Sequence, residues 1–250
     1  MMAVYTLWMR EMLRFIRDKT RIIGTMGMPL FFLLFLGTGL NSAFQGASLP
    51  GGGEYISFMA PGIVGMVLLF GSVFSGLRIV IDKQFGFMKE ILVAPISRTE
   101  IVIGTALGGA TTALIQALIL LTFIFVFGVI PFTLEALLLA IPLMLLTSIG
   151  FVNLGVMFAS KLDEPQGFQV IMNFFIMPLF FLSGAFFPLD NLPSWLKTLS
   201  LLDPLTYGVD GMRNILLGTS FFPLWLDFAV LTGFMLVTLL IASYAFKKMQ

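Results

Sequence analysis

Few side chains in this sequence could carry chemistry, and their types restrict what that chemistry is. Histidine and cysteine are both absent. Their absence removes the commonest general base and metal ligand, and with them thiolate metal sites, disulfides and cysteine nucleophiles. No Gly-x-x-x-x-Gly-Lys-[Ser/Thr] segment occurs, so the familiar phosphate loop for ATP is missing. The Gly-x-Ser-x-Gly elbow is missing too, and no Ser–His pair can form. What remains is a handful of polar residues within long apolar runs. Asp227 and Glu135 stand near the ends of such runs, and Gln116, Asn153 and Asn173 stand inside them. Asp227 is read as a near-surface charge that reaches the interface, with a coupling carboxylate as the alternative, because charge deep in a bilayer is costly and functional. Gln116, Asn153 and Asn173 either hydrogen-bond between helices or touch a substrate. Asp210 and Arg213, three apart, are placed to pair on one helical turn.

The elements that must hold these residues are membrane helices. The chain is 58% hydrophobic and 11% charged, where soluble domains carry roughly 25% charged residues. Residues 22–53, 55–77, 101–134, 136–160, 165–189 and 228–246 contain no Asp, Glu, Lys or Arg. A helix needs ~20 apolar residues to cross the ~30 Å hydrocarbon core. The expected spans are 22–44, 57–81, 101–128, 136–160, 166–187 and 223–246. In 250 residues they leave no room for a separate soluble catalytic domain. With the N-terminus inside, every Lys and Arg except Lys197 and Arg213 falls on the cytoplasmic side. Cytoplasmic loops are enriched in these residues, so both termini are expected inside. Residues 1–21 contain no apolar core followed by a cleavage site, so the first span is expected to stay in the mature chain.

Three segments outside the spans are informative. Residues 1–21 read as an interfacial helix, with Arg10, Arg14, Arg17, Arg21, Glu11 and Asp18 on one face and Tyr5, Trp8, Met12, Phe15 and Ile16 on the other. Either it anchors topology only, or it also meets a cytosolic partner. Residues 83–93 read as a short amphipathic cytosolic helix that Pro95 ends. It keeps Phe85, Phe87, Met88, Ile91 and Leu92, which need burial against lipid or a partner. Ser97 and Glu100 then form a capping box, with Ile96 and Ile101 as a staple, and start the third span. Residues 188–213 are too polar to span and too apolar for a solvated loop. They read as one or two helices in the outer leaflet, with Trp195 and Tyr207 at headgroup depth. Within the third span, Gly104 and Gly108 permit close helix approach. Proline enters several spans, as Pro29, Pro61, Pro142 and Pro178, which membrane helices tolerate. The 28 Phe and 16 Met suit varied apolar ligands, but lipid-facing surfaces use the same residues.

With these pieces in place, the chain resembles the membrane subunit of type-2 ABC exporters, which include drug-resistance, polysaccharide and lipo-oligosaccharide permeases. The resemblance covers nearly the whole chain. It rests on the basic N-terminal helix, the six-span plan, GFMKEILVAPISRTEIVIG after the second span and FFPLDNLPSWLKTLSLLDPLTYGVDGMR before the sixth. It implies an all-α integral membrane protein in a prokaryotic inner membrane, working as a homodimer with a separate ATPase subunit that holds ATP and Mg. No cofactor and no nucleic acid are expected on this chain, and it is not itself an enzyme. The coupling residues would be Lys83, Phe85, Phe87, Met88, Lys89, Glu90, Ile91 and Leu92, with Arg10, Arg14 and Arg17 on the interfacial helix. The second and fifth spans would line the dimer interface and substrate path, through Met66, Leu69, Phe70, Val73 and Phe74, and Asn173, Phe174, Met177, Phe180 and Phe181. Trp195, Tyr207, Asp210 and Arg213 would belong to an outer gate. A path nearly devoid of charge favours hydrophobic or amphiphilic cargo. The rivals are an ion-coupled transporter that needs no ATPase and a scaffold that transports nothing.

Overall fold

The computed structural model describes residues 2–41, 54–86 and 96–248, and every regular element among them is helical. Helix α1 is Met2–Arg17. Helix α2 runs as Lys19–Phe31, a π segment Phe32–Leu36 and Gly37–Asn41. Then come α3 (Tyr55–Gln84), α4 (Arg98–Val126) and α5 (Leu134–Ser160). Helix α6 is Pro165–Ile171, a π segment Met172–Ile176 and Met177–Leu182. The short helices α7 (Ser194–Leu202) and α8 (Pro204–Leu217) precede α9 (Leu224–Lys247). Six of these helices are long and apolar enough to cross a membrane, as the composition requires: Gly24–Asn41, α3, α4, α5, Pro165–Leu182 and α9. The fold is that of a multi-pass membrane protein.

The helix ends follow local chemistry. Ser97 Oγ accepts from Glu100 N at 3.1 Å and Glu100 Oε2 accepts from Ser97 N at 3.1 Å, so the capping box is closed in both directions. Thr133 caps α5 through Ala136 N. Asp203 caps α8 through Leu205 N, with Pro204 in the first turn. Gly218, at φ 69°, takes the left-handed conformation that ends α8. Pro29 lies just before one π segment and Pro178 just after the other. Proline frees the carbonyl four residues before it, and for Pro178 that carbonyl, of Phe174, lies inside the wider π turn.

Helix α3 is the most deeply buried span and α9 the least. Around α3 pack α5, α4, α8 and α2, while α9 lies outside on α5. Helices α3 and α5 cross where Gly76 meets Gly155. A Cβ on Gly76 would sit 2.4 Å from the Gly155 carbonyl, and one on Gly155 would sit 2.7 Å from the Val73 carbonyl oxygen.

Two expectations are corrected by the packing. The basic N-terminal segment is not one helix through residue 21: α1 stops at Arg17, Asp18 is outside any helix, and α2 starts at Lys19. Its buried face is also rotated. Leu7, Glu11, Met12 and Phe15 are buried, whereas Tyr5 and Ile16 are exposed. The rotation follows from what α1 meets, since a carboxylate on that face finds arginine. The small-residue pair Gly104 and Gly108 does give close approach, but to α1. Added Cβ atoms would lie 2.8 Å from Leu7 Cβ and 2.7 Å from Glu11 Cβ. Of the expected 83–93 helix, Lys83 and Gln84 continue α3 and residues 87–93 lie outside the described residues, as do 42–44 of the first span. The fifth span, expected through 187, ends at Leu182.

Gly76→Ala should force apart backbones that have no flexible side chain to move. We expect a loss of about 1–3 kcal/mol, read as a lowered unfolding midpoint of the detergent-solubilised protein. Gly233→Ala, where a Cβ meets nothing within 4 Å, should be neutral or slightly stabilising.

Candidate functional site: a cavity between three spans, with charged clusters at both ends

A cavity of about 590 Å³ opens between α2, α3 and α6. The α3 wall carries Met66, Phe70, Phe74, Leu77, Arg78 and Ile81, spaced close to four residues apart and therefore on one face. The α6 wall carries Gln169, Met172, Asn173, Met177, Phe180 and Phe181, and α2 supplies Thr25, Met28, Pro29 and Phe32. Both π segments contribute to it, through Phe32 and through Met172 and Asn173. Phe70 and Phe180 meet edge to face across the gap, with centroids 5.9 Å apart. Gln116 reaches in from α4 and donates to Thr25 Oγ1 at 3.0 Å. It thus bridges two helices and lines the cavity at once. Asn173 lines the cavity, whereas Asn153 is buried in α5 away from it, with neither amide atom hydrogen-bonded among the described residues.

Seven of the ten expected path residues line this cavity: Met66, Phe70, Phe74, Asn173, Met177, Phe180 and Phe181. Leu69 and Val73 do not. They sit on the opposite face of α3, fully buried in the helical core, because the cavity row runs 66, 70, 74 and 78. Phe174 is 82% exposed on the outer face of α6. Arg78, Gln169 and the whole α2 wall were missed. Arg78 could have been found by extending the Met66–Phe70–Phe74 row by one turn. The α2 contribution leaves no such trace, because only packing brings that helix to α3.

At one end of the cavity lies an ion-pair cluster that ties α1 to α3. Glu11 is nearly buried and accepts from Arg78 and, at 3.3 Å, from Arg10; Arg14 stands 3.8 Å away. Asp82, also nearly buried, faces Arg10 and Arg14 at 3.6 Å each. Breaking such a pair on one side costs about 3–5 kcal/mol, because the other charge is left buried and unpaired. Trp8 Nε1 adds a hydrogen bond to Thr111 Oγ1 of α4. Of the expected coupling residues, Lys83 donates to Leu162 O and Asp163 Oδ1, both at 2.9 Å, and so ties α3 to the turn between α5 and α6. Phe85 is exposed, and Phe87, Met88, Lys89, Glu90, Ile91 and Leu92 lie outside the described residues.

Towards the start of α3 packs α8, with α7 before it. Trp195 is exposed and Tyr207 donates to Leu201 O at 2.9 Å while stacking on Phe222. The expected Asp210–Arg213 pair is not made. Asp210 instead accepts from the Phe221 and Phe222 N–H groups at 2.8–3.0 Å, and Arg213 donates to Gly184 O at 3.0 Å and covers the Phe58 ring. Each charge is taken by the backbone that α8 must hold in place. Burial lowers the Arg213 pKa to about 10, against the nearby Asp210, so the guanidinium stays charged at neutral pH. Burial raises the Asp210 carboxyl, opposed by the two backbone N–H bonds and Arg213. Burial also lifts Asp203 to about 7, only partly offset by its bond from Leu205 N. Asp227, expected to reach the surface, is instead fully buried against α8 near Gly211, and neither carboxyl oxygen has a hydrogen-bond partner among the described residues.

An apolar cavity between long apolar helices, with a basic helix docked at one end, suits a transport protein, and the known proteins agree. The sequence profile of the ABC-2 type transporter family matches residues 2–217, and the chain belongs to that family. It is 29% identical over 245 residues to the inner membrane transport permease YadH of Escherichia coli K12, covering 96% of this chain and 92% of that one. It is 30% identical over 214 residues to the putative transport permease ycf38 of Cyanophora paradoxa, covering 84% and 72%. It is 28% identical over 204 residues to nodulation protein J of Rhizobium leguminosarum bv. trifolii, covering 79% and 74%.

The raised Asp203 pKa has a definite sign. The folded state holds this proton up to about pH 7 while the unfolded chain releases it near the ordinary Asp value of 3.8. Its contribution is therefore present at low pH and lost as pH rises from about 4 to about 7, at no more than about 1.4 kcal/mol per unit. Asp203→Asn keeps a capping side chain. We expect it to remove that part of the pH dependence, measured as the wild-type-minus-variant difference in unfolding midpoint between pH 4 and 8.

Proposed function

We propose that this chain is the membrane subunit of an ATP-driven exporter that moves a hydrophobic or amphiphilic substrate outward. Two copies associate, and separate ATPase subunits carrying ATP and Mg dock on the cytoplasmic side, where both termini lie in a prokaryotic inner membrane. The observation that carries this is the cavity. It is lined by Phe and Met, is large enough for a small-molecule ligand, and is walled by α2, α3 and α6. Exposed apolar residues flank it on both sides, Phe31 and Phe35 on α2 and Val170 and Phe174 on α6. A second copy meeting these faces would close the open side. ATP-driven closure of the ATPases would be carried by residues 83–93 and α1 into α3, and the dimer interface would alternate between inward and outward access. The ion pairs of Glu11 and Asp82 with Arg10, Arg14 and Arg78 support a mechanical link between α1 and the cavity wall. Trp195, Tyr207, Asp210 and Arg213 belong to the helices that close the outer end.

The rival is an ion-coupled transporter that works without an ATPase. The buried, unpartnered Asp227 carboxylate favours it. One comparison separates the two. Replacing residues 87–93 with a Gly/Ser linker of equal length should abolish co-purification of the ATPase and ATP-dependent transport in proteoliposomes. Asp227→Asn should leave both in place. Transport that survives the linker but is lost with Asp227→Asn would overturn the proposal in favour of ion coupling.

A further inference from the structure

The cavity does not end on apolar surface. At the α1 end its wall is Arg78 and Ile81, and the same two residues line an adjoining cleft of about 570 Å³ with Arg14, Arg17, Asp18 and Asp82. One continuous concave surface therefore passes from Phe and Met to guanidinium. Among the described residues that line the cavity, Arg78 is the charged one. It gives Nη1 to Glu11, and its other guanidinium nitrogens make no hydrogen bond among the described residues. Glu11 and Asp82 are already shared with Arg10 and Arg14, and Arg17 is exposed with no ion pair among the described residues. The cleft and its ion pairs thus hold four guanidiniums, on Arg10, Arg14, Arg17 and Arg78, against three carboxylates, on Glu11, Asp18 and Asp82. The balance at the mouth is positive. The other polar groups on the wall are uncharged: Thr25, Gln116, Gln169 and Asn173.

We propose that the cavity takes an anionic amphiphile. Its apolar body lies among α2, α3 and α6, and its acidic head, a phosphate or carboxylate, meets Arg78 and the cleft arginines Arg14 and Arg17. This deepens the transport-site assignment and rests on it. Guanidinium is weakly hydrated and offers paired donors that match an oxyanion. Charge-assisted hydrogen bonds of this kind are roughly twice as strong as neutral ones. A cationic head at the same position faces the arginines and is disfavoured, and a neutral head gains nothing from them. The head cannot move inward without leaving its partners, so binding also orients the molecule with its tail towards Phe70 and Phe180.

The test is binding to the full chain in phosphatidylcholine nanodiscs, corrected for partition into empty nanodiscs. Dansylaminoundecanoate serves as the fluorescent probe, and the competitors are dodecyl phosphate, dodecyl maltoside, dodecyltrimethylammonium and inorganic phosphate. Dodecyl phosphate should displace the probe at about tenfold lower concentration than the neutral and cationic C12 compounds, a difference of about 1.4 kcal/mol. Inorganic phosphate should not displace it. The paired variant Glu11→Gln/Arg78→Gln leaves neither side as a lone buried charge. It should cut the dodecyl phosphate preference by about threefold, Arg14 and Arg17 holding the rest, and leave dodecyl maltoside unchanged. Arg78→Lys, which keeps the charge, should lose less of the preference. Equal affinity for all three head groups overturns the proposal, as does a preference that the paired variant leaves undiminished. Displacement by inorganic phosphate as effective as that by dodecyl phosphate also overturns it, in favour of a free-oxyanion site. These failures leave the exporter assignment standing, since that is judged by ATPase co-purification. If no C12 compound binds and Met66→Trp, which narrows the cavity, changes nothing, the cavity is not a ligand site and both fall.

Discussion

Hydrocarbon solvates the outside of an apolar helix about as well as a protein core does, so burying Leu and Phe gives these spans little reason to associate. Close backbone approach and polar pairing must do it instead. Both are visible at the centre of the bundle. Helices α3 and α5 touch through Gly76 and Gly155, with no side chain between them, and α1 lies on Gly104 and Gly108 of α4. The first contact holds α3 against α5, and α3 is one wall of the cavity. The remaining walls, α2 and α6, are far less buried and each is interrupted by a π segment. A rigid central helix therefore faces two helices with weaker lateral support, an arrangement suited to a space that must change shape.

The same low dielectric dictates what happens to charge. A lone carboxylate in an apolar medium is expensive, so charges are found where partners can reach them. At the α1 end the partners are side chains: Glu11 and Asp82 gather three arginines from two helices. That cluster makes α1 part of the cavity wall's support, since Arg78 is both an ion-pair partner and a lining residue. At the opposite end the partners are backbone groups. Asp210 and Arg213 are satisfied by the turns at Phe221–Phe222 and Gly184, which lets α8 stay buried although it is too short to cross a membrane. Asp227 is the exception, enclosed with no hydrogen-bond partner for either carboxyl oxygen among the described residues.

Much of this was legible beforehand, for reasons that differ from one feature to the next. The capping box at Ser97 and Glu100 is a contact between residues three apart, so spacing alone specified it. The α3 face through Met66, Phe70 and Phe74 follows from helical periodicity, and the same periodicity should have excluded Leu69 and Val73. The Asp210–Arg213 pair was misread because residues three apart on a helix can interact but need not. Backbone N–H groups eleven and twelve residues onward competed for the same carboxylate and won. The partner of Gly104 and Gly108 was open, since a smooth helix face says that something comes close without saying what.

By itself, then, the sequence determined the solvent. Long uncharged runs in a chain this apolar call for membrane-spanning helices, and the lack of His, Cys and a phosphate loop removes the commonest catalytic groups from it. It also determined the helix ends, where the chemistry is local. Tertiary structure alone decided that α1 docks on α4, that α2 completes the cavity, that Arg78 lines it and that Asp227 is enclosed. The physical reason is that these depend on which apolar faces meet. Among helices whose surfaces are all apolar, hydrophobicity carries no information about partners, and only shape and the few polar groups between them do.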